Sequence, residues 1–227
     1  MMRNSKAPGN RGGGSMVAID QGGDNEPVRP SGRAGRSYAA MIVLFAAAMV
    51  VFWCGTALAA GQPRVLLLRG WFGVFSMGLE SVAEQLKALG INAEVAGHLS
   101  WQNEVTEILR ERSAGRTGPL ILVGHSQGAN NVIDMARALD QSHVAVDLLI
   151  TLSPFMQNRV PGNVVKAINY YQAPGWGQPI EADPGFRGKL INVNLADDPT
   201  ISHIGIDKST KIQAELIREI AAYRTGQ

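Results

Sequence analysis

A short apolar run that ends in Gly124-His125-Ser126-Gln127-Gly128, with helical spacing directly after it, constrains this chain more than any other feature. Pro119-Leu120-Ile121-Leu122-Val123 reads as a buried strand. Ala129 to Leu139 carries helical periodicity, with Val132, Ile133, Ala136 and Leu139 among its apolar positions. A serine between the two stands on a sharp strand-to-helix turn. Its hydroxyl is lifted above the sheet beside the positive end of the helix, and the flanking glycines keep side chains out of the neighbouring strand and helix. That setting makes Ser126 a candidate nucleophile. The competing reading is an ordinary tight turn whose serine caps the helix.

The rest of the chain fits the same frame. Val65-Leu66-Leu67-Leu68 reads as a first strand, and Ile91 to Val95 as a second. The strand before Ser126 is the third, Val144 to Leu152 the fourth, Val164 to Tyr171 the fifth and Lys189 to Leu195 the sixth. Between the first two, Leu79, Val82, Ala83, Leu86 and Leu89 mark a helix with Ser76 as its cap and Gly90 as its stop. Further helices are expected over about Gln102 to Arg112 and Ser209 to Tyr223. Strands alternating with helices imply an α/β fold, a mostly parallel sheet of about six strands with helices on both faces. Ligands of such sheets sit at the carboxyl ends of the strands.

The 227 residues suffice for one such domain. The net charge of +2 hides an asymmetry. Residues 1–60 hold six Lys and Arg against three Asp and Glu, whereas residues 61–227 hold fifteen against sixteen. The body of the protein therefore has no basic surplus to attract nucleic acid. The single cysteine, Cys54, lies outside it, which excludes disulfides and thiolate metal sites there. Four histidines without paired spacing point to no metal centre, and nothing in the pattern calls for a cofactor.

Residues 1–37, rich in Gly, Arg, Asn and Ser, read as a disordered basic leader. Residues 38–60 are apolar and uncharged, follow Arg29, Arg33 and Arg36, and end in Ala57-Leu58-Ala59. This is the layout of a secretory signal peptide, cleaved before Ala60. The stretch is also long enough to be an uncleaved membrane anchor, and a buried core helix is the third reading. The first two place residues 61–227 outside the cytoplasm, periplasmic or extracellular, with membrane contact only through residues 38–60 if uncleaved. Trp53 stands where a lipid-attachment signal at Cys54 needs a small residue. Met16 and Met41 are alternative starts.

On these residues the chain resembles the α/β-hydrolases, in particular small serine hydrolases of the lipase, esterase and thioesterase kind. The likeness covers residues 64–227. It rests on Leu68-Arg69-Gly70-Trp71 after the first strand, the Ser126 turn after the third, and His203 after the sixth. The order of Ser before His is that of the family. The resemblance implies a minimal version of the fold, without two leading antiparallel strands and without a large cap domain. It implies Ser126 as nucleophile, His203 as base, and the amides of Trp71 and Gln127 as the oxyanion hole. Arg69 replaces a histidine common in the family; it either adds a positive field or is solvated. His125 is expected to be packed, His143 to lie away from the site, and His98 to be a structural or solvated loop residue, with the pocket edge as the alternative.

The acid is the irregular element. Neither Leu152-Ser153-Pro154 nor Gln172 to Gly177 offers the carboxylate that the family carries after those strands. Asp183 is the choice, Asp197 the next, and a Ser–His dyad remains open. Trp71, Phe72, Phe75, Phe155, Met156 and Trp176 are candidates for an acyl pocket. The expected activity is hydrolysis of carboxylic esters, small or lipid-like. The same machinery acting on thioesters or amides, and a non-catalytic hydrolase-like binding protein, are the alternatives.

Overall fold

The computed structural model describes residues 61–71, 76–175 and 177–224. The leader 1–37, the stretch 38–60, and Phe72, Phe75 and Trp176 lie outside the described residues. Among the described residues no helix is long and apolar enough to cross a membrane.

Six parallel strands form one sheet in the order β2-β1-β3-β4-β5-β6. The strands are β1 (Arg64–Arg69), β2 (Ala93–Gly97), β3 (Leu120–His125), β4 (Val146–Leu152), β5 (Val164–Tyr171) and β6 (Lys189–Asn194). The connecting helices are α1 (Gly78–Ala88), α2 (Trp101–Ser113) and α3 (Gln127–Asp140), and α4 (Thr210–Ala221) closes the chain. The expected α/β class and all six strands are present.

The unbroken apolar runs of the central strands follow from burial on both faces. Val65 and Leu67 point to one face, where they meet Leu79 and Leu86 of α1 and Ile212 and Leu216 of α4. Leu66 and Leu68 point to the other, against Val105 and Ile108 of α2 and Val132 and Met135 of α3. Each such fully buried side chain contributes about 1.5–3 kcal/mol. The edge strands β2 and β6 have no fully buried residue, and their sequences are correspondingly more polar.

Strand order reverses between β1 and β3, since the chain steps from β1 outward to β2 and then returns to the other side of β1. The crevice at the carboxyl ends of these two strands is where an open parallel sheet receives a ligand. It is here that α3 comes unusually close to the sheet. A Cβ on Gly124 would lie 2.2 Å from the Gly128 carbonyl oxygen, and a Cβ on Gly128 would lie 2.3 Å from the Leu68 carbonyl oxygen. Glycine is required at both positions because the neighbours are backbone and cannot turn away. Gly128→Ala should therefore cost at least about 3 kcal/mol, the upper range for overpacking, read as a lower urea midpoint or as failure to fold.

Candidate active site

Ser126 joins β3 to α3 with φ 55° and ψ −119°. A non-glycine residue is held there only when its surroundings over-determine it. They do so here. The Ser126 N–H donates to the Leu152 carbonyl at 2.9 Å, continuing the ladder past the end of β3. Its own carbonyl accepts from the Ala129 N–H at 3.0 Å, which opens α3. The side chain is left pointing off the sheet at the positive end of a 14-residue helix.

His203 reaches it from the loop between β6 and α4, with Nε2 3.1 Å from Ser126 Oγ. With the proton on Nδ1, Nε2 accepts the serine hydroxyl. Burial, with His125 acting in the same direction, pushes the His203 pKa down from 6.5 to about 4. The imidazole is thus neutral, and able to accept a proton, through the whole neutral range.

The turn after β1 forms the opposite wall. A Cβ on Gly70 would lie 3.0 Å from both Ser126 Cβ and the His125 carbonyl oxygen, so Gly70 sits against the serine. Gln127 is the first residue of α3. Gln127 thus directly follows Ser126 at the start of α3, and Trp71 directly follows the glycine that packs on it. Arg69 forms an ion pair with Glu80 of α1 at 3.0 Å, so its charge is neutralised locally rather than freely solvated. His98 opens a short 3-10 turn after β2, and His143 is exposed beyond the end of α3.

Asp183 is not brought to His203, which corrects its choice as the acid. Its carboxylate takes a 2.7 Å bond from Arg137 and lies 3.7 Å from Arg159, while its N–H donates to Val160. Arg137 is in the last turn of α3, about 16 Å along the helix from Ser126 at 1.5 Å per residue. Asp183 thus serves the opposite end of the sheet. Asp198 is engaged by Thr200 and Lys211, and Asp197 is exposed on the same turn.

Several residues escaped the sequence reading. Ser76 does not cap α1 with its side chain; its hydroxyl accepts from the Gly70 N–H at 3.0 Å and lies 2.8 Å from His125 Nδ1. The first N–H of α1, on Gly78, is instead taken by Asp207 Oδ2 at 2.7 Å. Burial pushes the Asp207 carboxyl up, while the Gly78 N–H favours its charged form. Gln213 of α4 bonds the carbonyls of both Gly78 and Asp207. The loop that carries His203 is by these contacts bound to the start of α1. On the other side, buried Asn130 of α3 accepts from the N–H groups of Phe155 and Met156 and donates to the Met156 carbonyl, which fixes the loop after β4.

Apolar side chains line this end of the sheet. Trp71 and Phe155 meet edge to face with centroids 5.6 Å apart, and both are exposed, as are Leu99, Met156 and Ile204. A cavity of about 200 Å³ opens beside Phe155 and Met156, lined also by Pro154, Gln157, Gly177 and Ile180. Among the described residues no cluster of three or more His, Cys, Asp or Glu is placed to hold a metal ion.

No protein-family model matches the chain, and no curated protein matches it. Solved structures do. The chain is similar to a proposed hydrolase of the alpha/beta superfamily from Xanthomonas campestris pv. campestris, at 17% identity over 70% of this chain and 99% of that one, with a TM-score of 0.38. It is similar to the NocB thioesterase domain of the nocardicin cluster, at 12% identity over 72% and 95% with a TM-score of 0.46. It is similar, too, to a cutinase-like protein from Cryptococcus sp., at 12% identity over 74% and 98% with a TM-score of 0.48. Identities of this size concern the fold.

The placement of Asp183 has a direct check. Asp183→Asn should leave the rate of Ser126 labelling by a fluorophosphonate unchanged. It should cost no more than about 1 kcal/mol in urea unfolding, as for a partly exposed ion pair.

Proposed function

We propose that this protein is an exported serine hydrolase that cleaves carboxylic esters through an acyl-enzyme on Ser126. The observation that carries the reading is the 3.1 Å contact between Ser126 Oγ and His203 Nε2 on a strained strand-to-helix turn. A free serine hydroxyl is a poor nucleophile and needs an adjacent base. In the proposed reaction His203 Nε2 takes the hydroxyl proton as Oγ bonds to the ester carbonyl carbon. The negative charge that develops on the carbonyl oxygen is met by the amides of Gln127 and Trp71 and by the end of α3. Collapse breaks the bond to the alcohol, which leaves with the proton from His203. Water, deprotonated by His203 in turn, attacks the acyl group and frees the acid and Ser126.

The exposed pair Trp71 and Phe155, exposed Met156, and the cavity that Phe155 and Met156 border favour an ester with an apolar, lipid-like acyl chain. The proposed machinery uses side chains and backbone only, with no metal or cofactor. Thioesters and amides would engage the same groups, and nothing in the site selects them over esters.

Ser126→Ala and His203→Ala should each lower kcat by several orders of magnitude with the fold intact, because the pair acts as one unit. Both should lose fluorophosphonate labelling of the serine. Ester hydrolysis at the wild-type rate in Ser126→Ala would overturn the proposal. The acid limb of kcat/KM should lie near pH 4 rather than 6.5, since activity requires His203 unprotonated and burial lowers its pKa.

Export is the second part of the proposal and rests on residues 38–60. N-terminal sequencing of the protein from its native source should begin at Ala60. An intact N-terminus in the membrane fraction would identify an anchor instead, and an intact soluble cytoplasmic protein would exclude both.

A further inference from the structure

Behind the Ser126–His203 pair runs a buried chain of polar contacts that the reaction as written does not use. Ser76 is fully buried and His125 nearly so. The Gly70 N–H donates to Ser76 Oγ at 3.0 Å. Ser76 Oγ lies 2.8 Å from His125 Nδ1, and His125 Nε2 lies 2.8 Å from the main-chain carbonyl oxygen of His203.

The proton positions in this chain follow from valence. A carbonyl oxygen only accepts, so His125 Nε2 must carry a hydrogen. Burial disfavours the doubly protonated ring, pushing its pKa down, so Nδ1 is the acceptor. Ser76 must then donate its hydroxyl hydrogen to Nδ1 while its oxygen accepts from Gly70. Every bond runs in one direction, from the Gly70 N–H through Ser76 and His125 to the His203 carbonyl. One end of the chain is the turn that leads into Trp71. The other is the backbone of the base itself.

We propose that Ser76 and His125 are positioning residues for hydrolysis, holding the His203 loop and the Gly70–Trp71 turn in register around Ser126. The inference rests on the serine-hydrolase reading above. Its physical basis is the narrow tolerance of such a site. Nε2 must stay within hydrogen-bond reach of Oγ, and a displacement of about 1 Å costs on the order of 100-fold in rate. His203 sits on a connection of fifteen residues between β6 and α4. Asp207 ties the far part of that connection to α1. The His125 bond holds the catalytic position itself, and it does so through a main-chain atom, so the imidazole of His203 stays available for proton transfer. A histidine suits this place because it is planar and rigid, and because it offers a donor and an acceptor on opposite sides. His125 is also anchored on β3, one residue from the nucleophile, so the serine and the clamp on its base move as one body.

The test compares His125→Phe, His125→Gln and Ser76→Ala with the wild-type full chain, using a fluorophosphonate and a p-nitrophenyl ester. His125→Phe keeps a flat ring and removes both bonds. His125→Gln keeps an N–H that reaches the His203 carbonyl. For molecules shown folded by circular dichroism, His125→Phe should lower kcat and the labelling rate roughly 10- to 100-fold, with KM within about twofold. His125→Gln should recover most of that loss, and Ser76→Ala should fall between. A folded His125→Phe that labels at the wild-type rate overturns the inference, as does a His125→Gln no better than His125→Phe. If His125→Phe does not fold, Ser76→Ala and His125→Gln decide. Ser76→Ala must then show the kcat loss at unchanged KM and His125→Gln near-wild-type rates, or the inference is overturned. A wild-type protein that never labels would instead overturn the hydrolase reading itself, and the inference with it.

Discussion

Backbone touching backbone, where α3 crosses the end of β1, is the contact from which the rest of the site follows. Gly128 has no side chain to hold the helix off the Leu68 carbonyl, and Gly124 has none to hold it off Gly128. The helix axis is therefore drawn down onto the strands, and the connection between β3 and α3 shrinks to one residue. That residue can join the two elements only with the positive φ of Ser126. The hydroxyl direction, the nearness of Gly70 and the alignment of the helix end are consequences of that close approach. The backbone strain at the serine is stabilised by the interdigitated apolar layers on both faces of the sheet.

Much of this was legible in the sequence because it depends on local patterns. Uninterrupted runs such as Val65–Leu68 and Leu120–Val123 encode strands covered on both sides, and the glycine spacing around Ser126 encodes the turn. Segment ends were less well defined. The second strand was expected over Ile91–Val95 and runs Ala93–Gly97, because Ile91 is buried through its side chain against the helix layer before ladder pairing begins. Ser76 was expected to cap α1 because a serine before an apolar helical stripe usually does. What decides its role is His125, 49 residues away. The actual cap, Asp207, is 129 residues from Gly78 and left no local trace.

Asp183 was misplaced for a related reason. An aspartate before proline in a loop reads the same at either end of a parallel sheet. The choice is made by Arg137 and Arg159, and neither lies in the sequence near it. His203 comes within 3.1 Å of Ser126 Oγ because the connection from β6 to α4 leaves and re-enters at the carboxyl end of the sheet. Position along the chain therefore fixes which end of the sheet a residue occupies when it directly follows a strand. It does not do so inside a crossover between two parallel strands, such as the connection from β5 to β6 that holds Asp183, because that segment must run from one end of the sheet to the other.

Asn130 grips the loop after β4 through the amides of Phe155 and Met156 and one carbonyl, with no contact to either side chain among those bonds. Hold and identity are thereby separated. The path of the loop is set by an asparagine on a rigid helix, whereas the two side chains that border the cavity carry no structural duty in that clasp. Such a division lets a lineage, or a mutant library, exchange the residues at 155 and 156 and so reshape the cavity wall, while the scaffold beneath them is inherited unchanged.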